Sequence, residues 1–444
     1  MIWIEVAVFI ACISVGARLG GIGLGAVAGI GLFVFVFVFG LPPGGPPGVV
    51  IGMIIAVITA IATMQAGGGL DYLVAGAARV MHRHPRYITF IAPILTWLLV
   101  LASGTTHVIY ALLPIISEVS ERADVRPERP LSISVVAGFQ GVRASPISAA
   151  TVAVFGFLAP MGVTLPQLLA ITIPSTFVAV LAGALSVAWR GAPLSQDPEF
   201  QRRLATGLVA PSKSAPTLDG RALRNARGST LLFAAGVALV VLIGAVPSLR
   251  PVYDLPSTAV IESDQVPMGA AIMIVMLAVA GLTMIFFQAS PKAALQGSIM
   301  TSGVSAIICI VGVSWLGSSF FEGNRALIVD GVSVVVRDHP WTFAVGLFLL
   351  TTLLFSAAAA VVILVPVGVA LGMPASLLIA SYPASSANFF LPTYGTLLAA
   401  VSFDRTGTTR IGRYLFDHSF MLPGLVATVT AVLVALAIGT VLLP

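Results

Sequence analysis

Four short stretches place polar groups inside the long apolar runs of this 444-residue chain. Ser103-Gly104-Thr105-Thr106-His107 interrupts the apolar sequence from Ile88 to Ile116, and Gln140-Gly141-Val142-Arg143-Ala144-Ser145-Pro146-Ile147-Ser148 sets an arginine among small and apolar neighbours. Ser356 is followed by four alanines, and Ser385-Ser386-Ala387-Asn388 leads to Pro392-Thr393-Tyr394-Gly395-Thr396. Hydroxyls beside a flexible glycine, with backbone N–H groups left open at a chain break, suit a carboxylate as helix N-termini do. Arg143 offers a permanently charged planar fork that matches a carboxylate with two bonds. Asn388, Thr393, Tyr394 and Thr396 are neutral hydrogen-bonding groups for a carboxylate or an amine. His107 is either a proton carrier or a neutral packed ring.

Each stretch also has a structural reading. The first is alternatively a kinked span whose Ser and Thr bond back to their own helix. Arg143 is alternatively a span-end residue reaching for headgroups, or the partner of a protein acid. Asp404-Arg405-Thr406-Gly407-Thr408-Thr409-Arg410 reads as a solvated loop in preference to a site wall.

The elements that position these residues must lie in lipid. The chain is 58% hydrophobic and 9% charged, with a mean hydropathy of +1.05, against about 25% charged for a globular protein. Apolar stretches recur at 22–39, 49–66, 87–102, 168–189, 229–246, 268–287, 341–355 and 420–443, most of them near the roughly 20 residues a bilayer helix needs. Barrel strands would be about 10 residues with alternating polarity, so the expected class is an all-α polytopic membrane protein. The first segment, Ile2 to Ala17, has no basic leader or small-residue cleavage site and reads as a retained span. Cys12 and Cys309 are too few and too isolated for a disulfide framework or a metal site. The formal charge of +5 fits basic cytoplasmic loops better than a nucleic-acid partner. With no nucleophile and base pair, paired carboxylates or ligand cluster at membrane depth, neither an enzyme nor a cofactor is expected.

The polar stretches fall into two copies of one pattern. His84-Pro85, the 103–106 cluster, Pro114, Pro130 and Ser145-Pro146 are followed at nearly constant spacing by His339-Pro340, Ser356, Pro366, Pro374 and Leu391-Pro392. Residues 1–189 and 229–444 are the expected transmembrane repeats, joined by a polar, basic and cytoplasmic linker at 190–228. Arg79, Arg83 and Arg86 precede the first copy, whereas Arg325 and Arg337 are balanced by Asp330 and Asp338 before the second. That asymmetry is what opposite membrane orientations produce, with a parallel duplication as the alternative. Duplicated broken helices point to a transporter with its substrate site between the repeats.

The strings GARLGGIG (16–23), GGLDYLV (68–74), RPLS (129–132), ASPISAA (144–150), GVSWLG (312–317), LPTY (391–394) and TGTTRIG (406–412) together resemble the anaerobic C4-dicarboxylate uptake family. The resemblance implies a multi-pass inner-membrane secondary carrier for aspartate, fumarate, malate and succinate, typically exchanging its cargo for succinate. It further implies kinship with the ion transporter superfamily, hence two inverted repeats, re-entrant hairpins and an elevator-like motion of about 88–160 and 341–403 against the other spans. Homodimers, and proton or sodium coupling, belong to the same expectation. Carried onto matching positions, the site lies at Gly104 and Thr105, at Ser145, Pro146 and Ser148, at Ser356, and at Pro392, Thr393 and Tyr394. Thr106, His107, Arg143 and Asn388 join it from the residue chemistry above. A carrier for another organic anion is the alternative, an anion channel a more distant one.

Overall fold

The computed structural model describes residues 2–19, 22–46, 48–206, 220–253, 265–324, 339–354, 356–392, 394–412 and 417–443. Thr393, Lys213 and the charged residues Arg325, Asp330, Arg337 and Asp338 lie outside them. The described chain is helical, and its only β pairings are the isolated bridges Val252 to Gln265 and Ile411 to His418.

The first half runs through α1 (Ile2–Leu19), α2 (Ile22–Phe33), α3 (Gly48–Ala66), α4 (Gly69–Arg83), α5 (Ile88–Ser103), α6 (Val108–Arg122), α7 (Glu128–Ala144), α8 (Ala149–Leu158) and α9 (Leu165–Val187). After the short α10 (Pro198–Ala205) come α11 (Gly220–Ala245), α12 (Met268–Phe287), α13 (Pro291–Gln296) and α14 (Ser298–Gly323). The chain closes with α15 (Thr342–Leu354), α16 (Ala357–Ala370), α17 (Ala375–Ser381), a 3-10 segment at Tyr382–Phe389, α18 (Gly395–Phe403) and α19 (Met421–Leu442). Among the described residues six helices are long and apolar enough to cross a membrane, or seven if the pair Ile51–Ala66 and Gly69–Arg83, bent by 68°, is one span. The bend is made by Gly68, whose φ of +78° is left-handed backbone that suits glycine.

The two copies of the pattern pack on each other reciprocally. Helix α6 lies against α18 and α16 against α8, while α7 meets the 382–389 segment and α9 meets α19 along a long interface. Within each copy the helix before the break packs on its hairpin: α7 on α5, and the 382–389 segment on α15. Small residues permit the close crossings. A Cβ on Gly183 of α9 would come within 2.4 Å of Ile133 Cδ1 and 3.2 Å of the Pro423 carbonyl on α19. Helices approach this closely in membranes because packing, not water exclusion, drives their association.

At one end of the bundle a charged network joins the copies. Glu128, 3% exposed, accepts from Arg126 Nε at 2.8 Å and from Ser419 Oγ at 2.8 Å, and its backbone N–H donates to Thr408 Oγ1 at 3.1 Å. Arg126 also donates to Asp197 Oδ2 at 2.5 Å, and Arg405 reaches Glu121 Oε2 at 2.5 Å across 284 residues. The 404–410 stretch is therefore no solvated loop. Asp404 is 2% exposed and accepts from the Thr406 and Thr409 N–H groups and the Thr406 and Thr408 hydroxyls, which satisfies a carboxylate that would otherwise be costly to bury. The polar 190–228 stretch is partly helical, since α10 lies within it and α11 starts at Gly220. Replacing Glu121 by Gln removes one charge of a partly exposed pair between residues 284 apart in the chain, so we expect a loss of about 1 kcal/mol, read as a lower melting temperature in detergent.

Candidate functional site

Local chemistry makes the breaks. Helix α5 ends on Gly104, held at φ +67° with its N–H donating to the Val100 carbonyl at 2.7 Å, a left-handed C-cap that favours glycine. The tip presses on the break between α7 and α8, since a Cβ here would meet Ile147 Cγ1 at 3.0 Å and the Ile147 carbonyl at 3.1 Å. Helix α7 ends at Ser145, driven to extended backbone (ψ 124°) by Pro146. Ser148 then caps α8 by accepting from the Thr151 N–H at 3.2 Å. In the second copy Ser356 caps α16 by accepting from the Ala359 N–H at 3.2 Å. Tyr382–Phe389 is an eight-residue 3-10 run, well beyond the three or four residues usual for that geometry. It stops at Phe390, and α18 begins after Tyr394.

These breaks converge. The Thr106 side chain hydrogen-bonds Tyr394, whose ring stacks edge-on against Phe139 of α7 with centroids 5.5 Å apart. Thr105 Oγ1 pairs with His107 Nδ1 at 2.7 Å and accepts from the His107 N–H at 3.3 Å. Thr151 Oγ1 pairs with the Tyr382 hydroxyl at 2.9 Å and donates to the Val142 carbonyl at 3.1 Å. The first tip, the first break and the second break are thus one cluster. Its contacts join Gly104, Thr106, Arg143, Ser148, Asn388 and Tyr394, with Thr105 and His107 carried on the tip, Ser145 and Pro146 in the break between α7 and α8, and Pro392 two residues before Tyr394 in the chain. Among the described residues Ser356 hydrogen-bonds its own helix end and no member of that cluster.

Arg143 is the one charge there among the described residues, and it is 2% exposed. Its Nε donates to Ser385 Oγ at 3.1 Å, Nη1 to the Phe139 carbonyl at 2.9 Å, and Nη2 to the Ser385 carbonyl and to Asn388 Oδ1, the latter at 3.5 Å. It neither snorkels nor pairs with an acid among the described residues. The two-pronged face expected to meet a carboxylate is instead turned onto Ser385 and Asn388, and one Nη1 hydrogen has no partner among the described residues.

Sequence reasoning passed over Tyr382 and Thr151, and it named Gln140 and Ser385 within their polar stretches without giving either a role. Gln140 is completely buried one turn before Arg143 with neither amide atom paired among the described residues, and Ser386 Oγ is likewise unpartnered. A cavity of 570 Å³ opens elsewhere, between Met161–Val163 and Pro374–Ser376, but no charged side chain lines it. The Arg143 cluster is the better match to an anion.

Polytopic helices broken at membrane depth around a buried charge define a membrane transporter rather than an enzyme. The family model described as "Anaerobic c4-dicarboxylate membrane transporter" matches residues 1–443, and the chain belongs to that family. It is 40% identical over 444 residues to the C4-dicarboxylate transporter DcuA of Wolinella succinogenes, covering 100% of this chain and 99% of that protein. It is 36% identical over 431 residues to the anaerobic C4-dicarboxylate transporter DcuB of Escherichia coli, covering 95% of each. Among solved structures, Neisseria gonorrhoeae MtrF aligns with a TM-score of 0.55 at 14% identity, over 92% of this chain and 83% of that one. This last similarity is one of fold.

Proposed function

We propose that this protein is a secondary carrier of C4-dicarboxylates such as aspartate, fumarate, malate and succinate across the bacterial inner membrane, working by exchange with succinate. The single observation that carries the reading is Arg143, a fully buried cation with no carboxylate beside it among the described residues, at the point where broken segments of both repeats meet. A lone charge at membrane depth is expensive, and an anionic substrate offsets it. In this reading the substrate carboxylates are met by the field of Arg143, with Asn388 beside it, and by Thr105, Thr106 and Tyr394 at the tip that Gly104 turns. Ser145, Pro146, Ser148 and Pro392 hold the breaks open, and His107 sits beside Thr105 as the titratable neighbour.

Reciprocal packing of α6 on α18 and α16 on α8 supports two repeats related by a two-fold axis, which we read as inverted, with the hairpins moving as one body in an elevator-like step. The same reading includes a homodimer. A bound dianion leaves the loaded site with one net negative charge and the empty site keeps the one positive charge of Arg143, so charge alone does not select exchange, and internal succinate tests it.

The test is uptake of labelled aspartate, succinate and citrate into proteoliposomes with and without internal succinate. We expect saturable uptake of the two C4 acids, accelerated by internal succinate, and none of citrate. Uptake of citrate in preference would assign another organic anion, and non-saturable flux indifferent to internal succinate would make it a channel.

A further inference from the structure

We propose that the basic end of α4 is a docking site for the phosphate headgroups of anionic phospholipids, and that lipid held there speeds transport. The binding is independent of the dicarboxylate reading; only its effect on rate rests on that reading. Helix α4 leaves α3 at a bend of 68°, so it lies nearer the plane of the membrane than its normal. Its start is pinned to α11, where Thr230 Oγ1 donates to the Gly69 carbonyl at 3.1 Å and a Cβ on Gly68 would meet Ala226 Cβ at 3.3 Å. Leu70, Val74, Ala77 and Met81 recur at helical spacing and bury one face against the bundle.

The opposite face carries Arg79 and Arg83, one turn apart, and Arg86 follows in the Pro85–Tyr87 turn that opens α5. All three are exposed, as are His82 and His84, and none makes an ion pair among the described residues. The acids of α6, which packs on α4, are already engaged: Glu118 by Arg122 at 2.6 Å and Glu121 by Arg405 at 2.5 Å. Asp71, the acid of α4 itself, stands about 12 Å along the helix from Arg79. Water could solvate three arginines, but their neighbours suit lipid. Val80 and Tyr87 are 42% and 66% exposed, and the apolar span begins at Pro85, in the midst of the basic residues. Cations beside an exposed aromatic ring at the start of a span match the headgroup layer, and the arginine fork meets phosphate with two bonds. Because α4 joins the pinned corner to the hairpin that ends at Gly104, headgroups holding its basic end also hold the base of that hairpin.

The experiment compares the wild type with the triple variant Arg79→Gln, Arg83→Gln, Arg86→Gln and with Arg221→Gln, Arg224→Gln, Arg227→Gln, an equal loss of charge at exposed positions of α11. Retention of phosphatidylglycerol against phosphatidylcholine is read by native mass spectrometry in detergent. Succinate exchange is measured in vesicles of phosphatidylcholine alone and of phosphatidylcholine mixed with phosphatidylglycerol. At about fivefold per arginine, the α4 variant should hold phosphatidylglycerol about a hundredfold more weakly and lose the faster exchange that the wild type shows in the mixed vesicles. The α11 variant should keep both.

Equal losses in the two triple variants would reduce the effect to net charge and overturn the proposal. So would wild-type retention of phosphatidylglycerol by the α4 variant, or exchange by the wild type that ignores phosphatidylglycerol. An α4 variant that is slow in phosphatidylcholine alone would assign the arginines to attraction of the dicarboxylate instead. A wild type that exchanges no dicarboxylate in any vesicle would sink the transport reading, while lipid retention still decides the docking site. Should the α4 triple variant not fold, the three single substitutions decide, each expected to weaken retention about fivefold.

Discussion

Arg143→Met should raise the Michaelis constant for dicarboxylate exchange by about two orders of magnitude while the protein still accumulates in the membrane. A carboxylate about 5 Å from the guanidinium, at an effective dielectric of about 20, is attracted by about 3 kcal/mol, which is close to a hundredfold in affinity. Methionine fills a similar length with a flexible apolar chain and offers no donor. The loss of fold stability is smaller than the loss of transport, because the change removes a buried charge together with its bonds to neutral oxygens. Transport kinetics in proteoliposomes, set beside size-exclusion profiles of the same preparations, separate the two effects. An unchanged Michaelis constant in a folded variant would remove Arg143 from the site.

Gly312→Val should prevent recovery of folded protein altogether. A Cβ at Gly312 would stand 2.1 Å from the Gly25 carbonyl oxygen and 2.8 Å from Gly25 Cα, so α14 and α2 touch backbone to backbone. No side chain can rotate out of the way. Relief requires the two helices to part by more than about 1 Å along their contact, which forfeits dispersion contacts on both sides and strains the small core built from Ile13, Leu24, Ala28, Phe35, Val313 and Leu316. Overpacking of an ordinary core costs about 1–3 kcal/mol, and a backbone obstacle exceeds that range. Yield of monodisperse protein and its melting temperature check the expectation; a variant with wild-type values would show that the two helices have room to part.

Much of the fold is legible in the chain because the breaks are local events. Gly104, Pro146 and Ser148 dictate their own backbone: a left-handed cap, a residue driven out of helix before proline, and a hydroxyl that caps α8. Apolar length likewise announces most of the spans. Partnership is the part that cannot be read. The bonds of Arg143 run to Ser385 and Asn388, 242 and 245 residues away, and no local rule specifies whether an arginine will find an acid, a headgroup or a ring of carbonyls. Asp404 misleads for the same reason, since a sequence this polar looks solvated until its threonines fold onto their own carboxylate. Ser356 shows the converse: its position in the pattern suggests a site, and its hydroxyl serves the end of its own helix.

The network around Glu128 has a consequence for how the chain is made. Glu128 is bonded to Ser419, 291 residues later, and Glu121 to Arg405, 284 residues later. At synthesis rates of about 5–20 residues per second, those partners reach the ribosome's exit roughly 15–60 seconds after the carboxylates they satisfy. During that interval Arg126 is already present to pair with Glu128, whereas Glu121 waits for Arg405. The first half can therefore insert with one of these two acids matched, but it becomes a finished structure only when the last tenth of the polypeptide arrives.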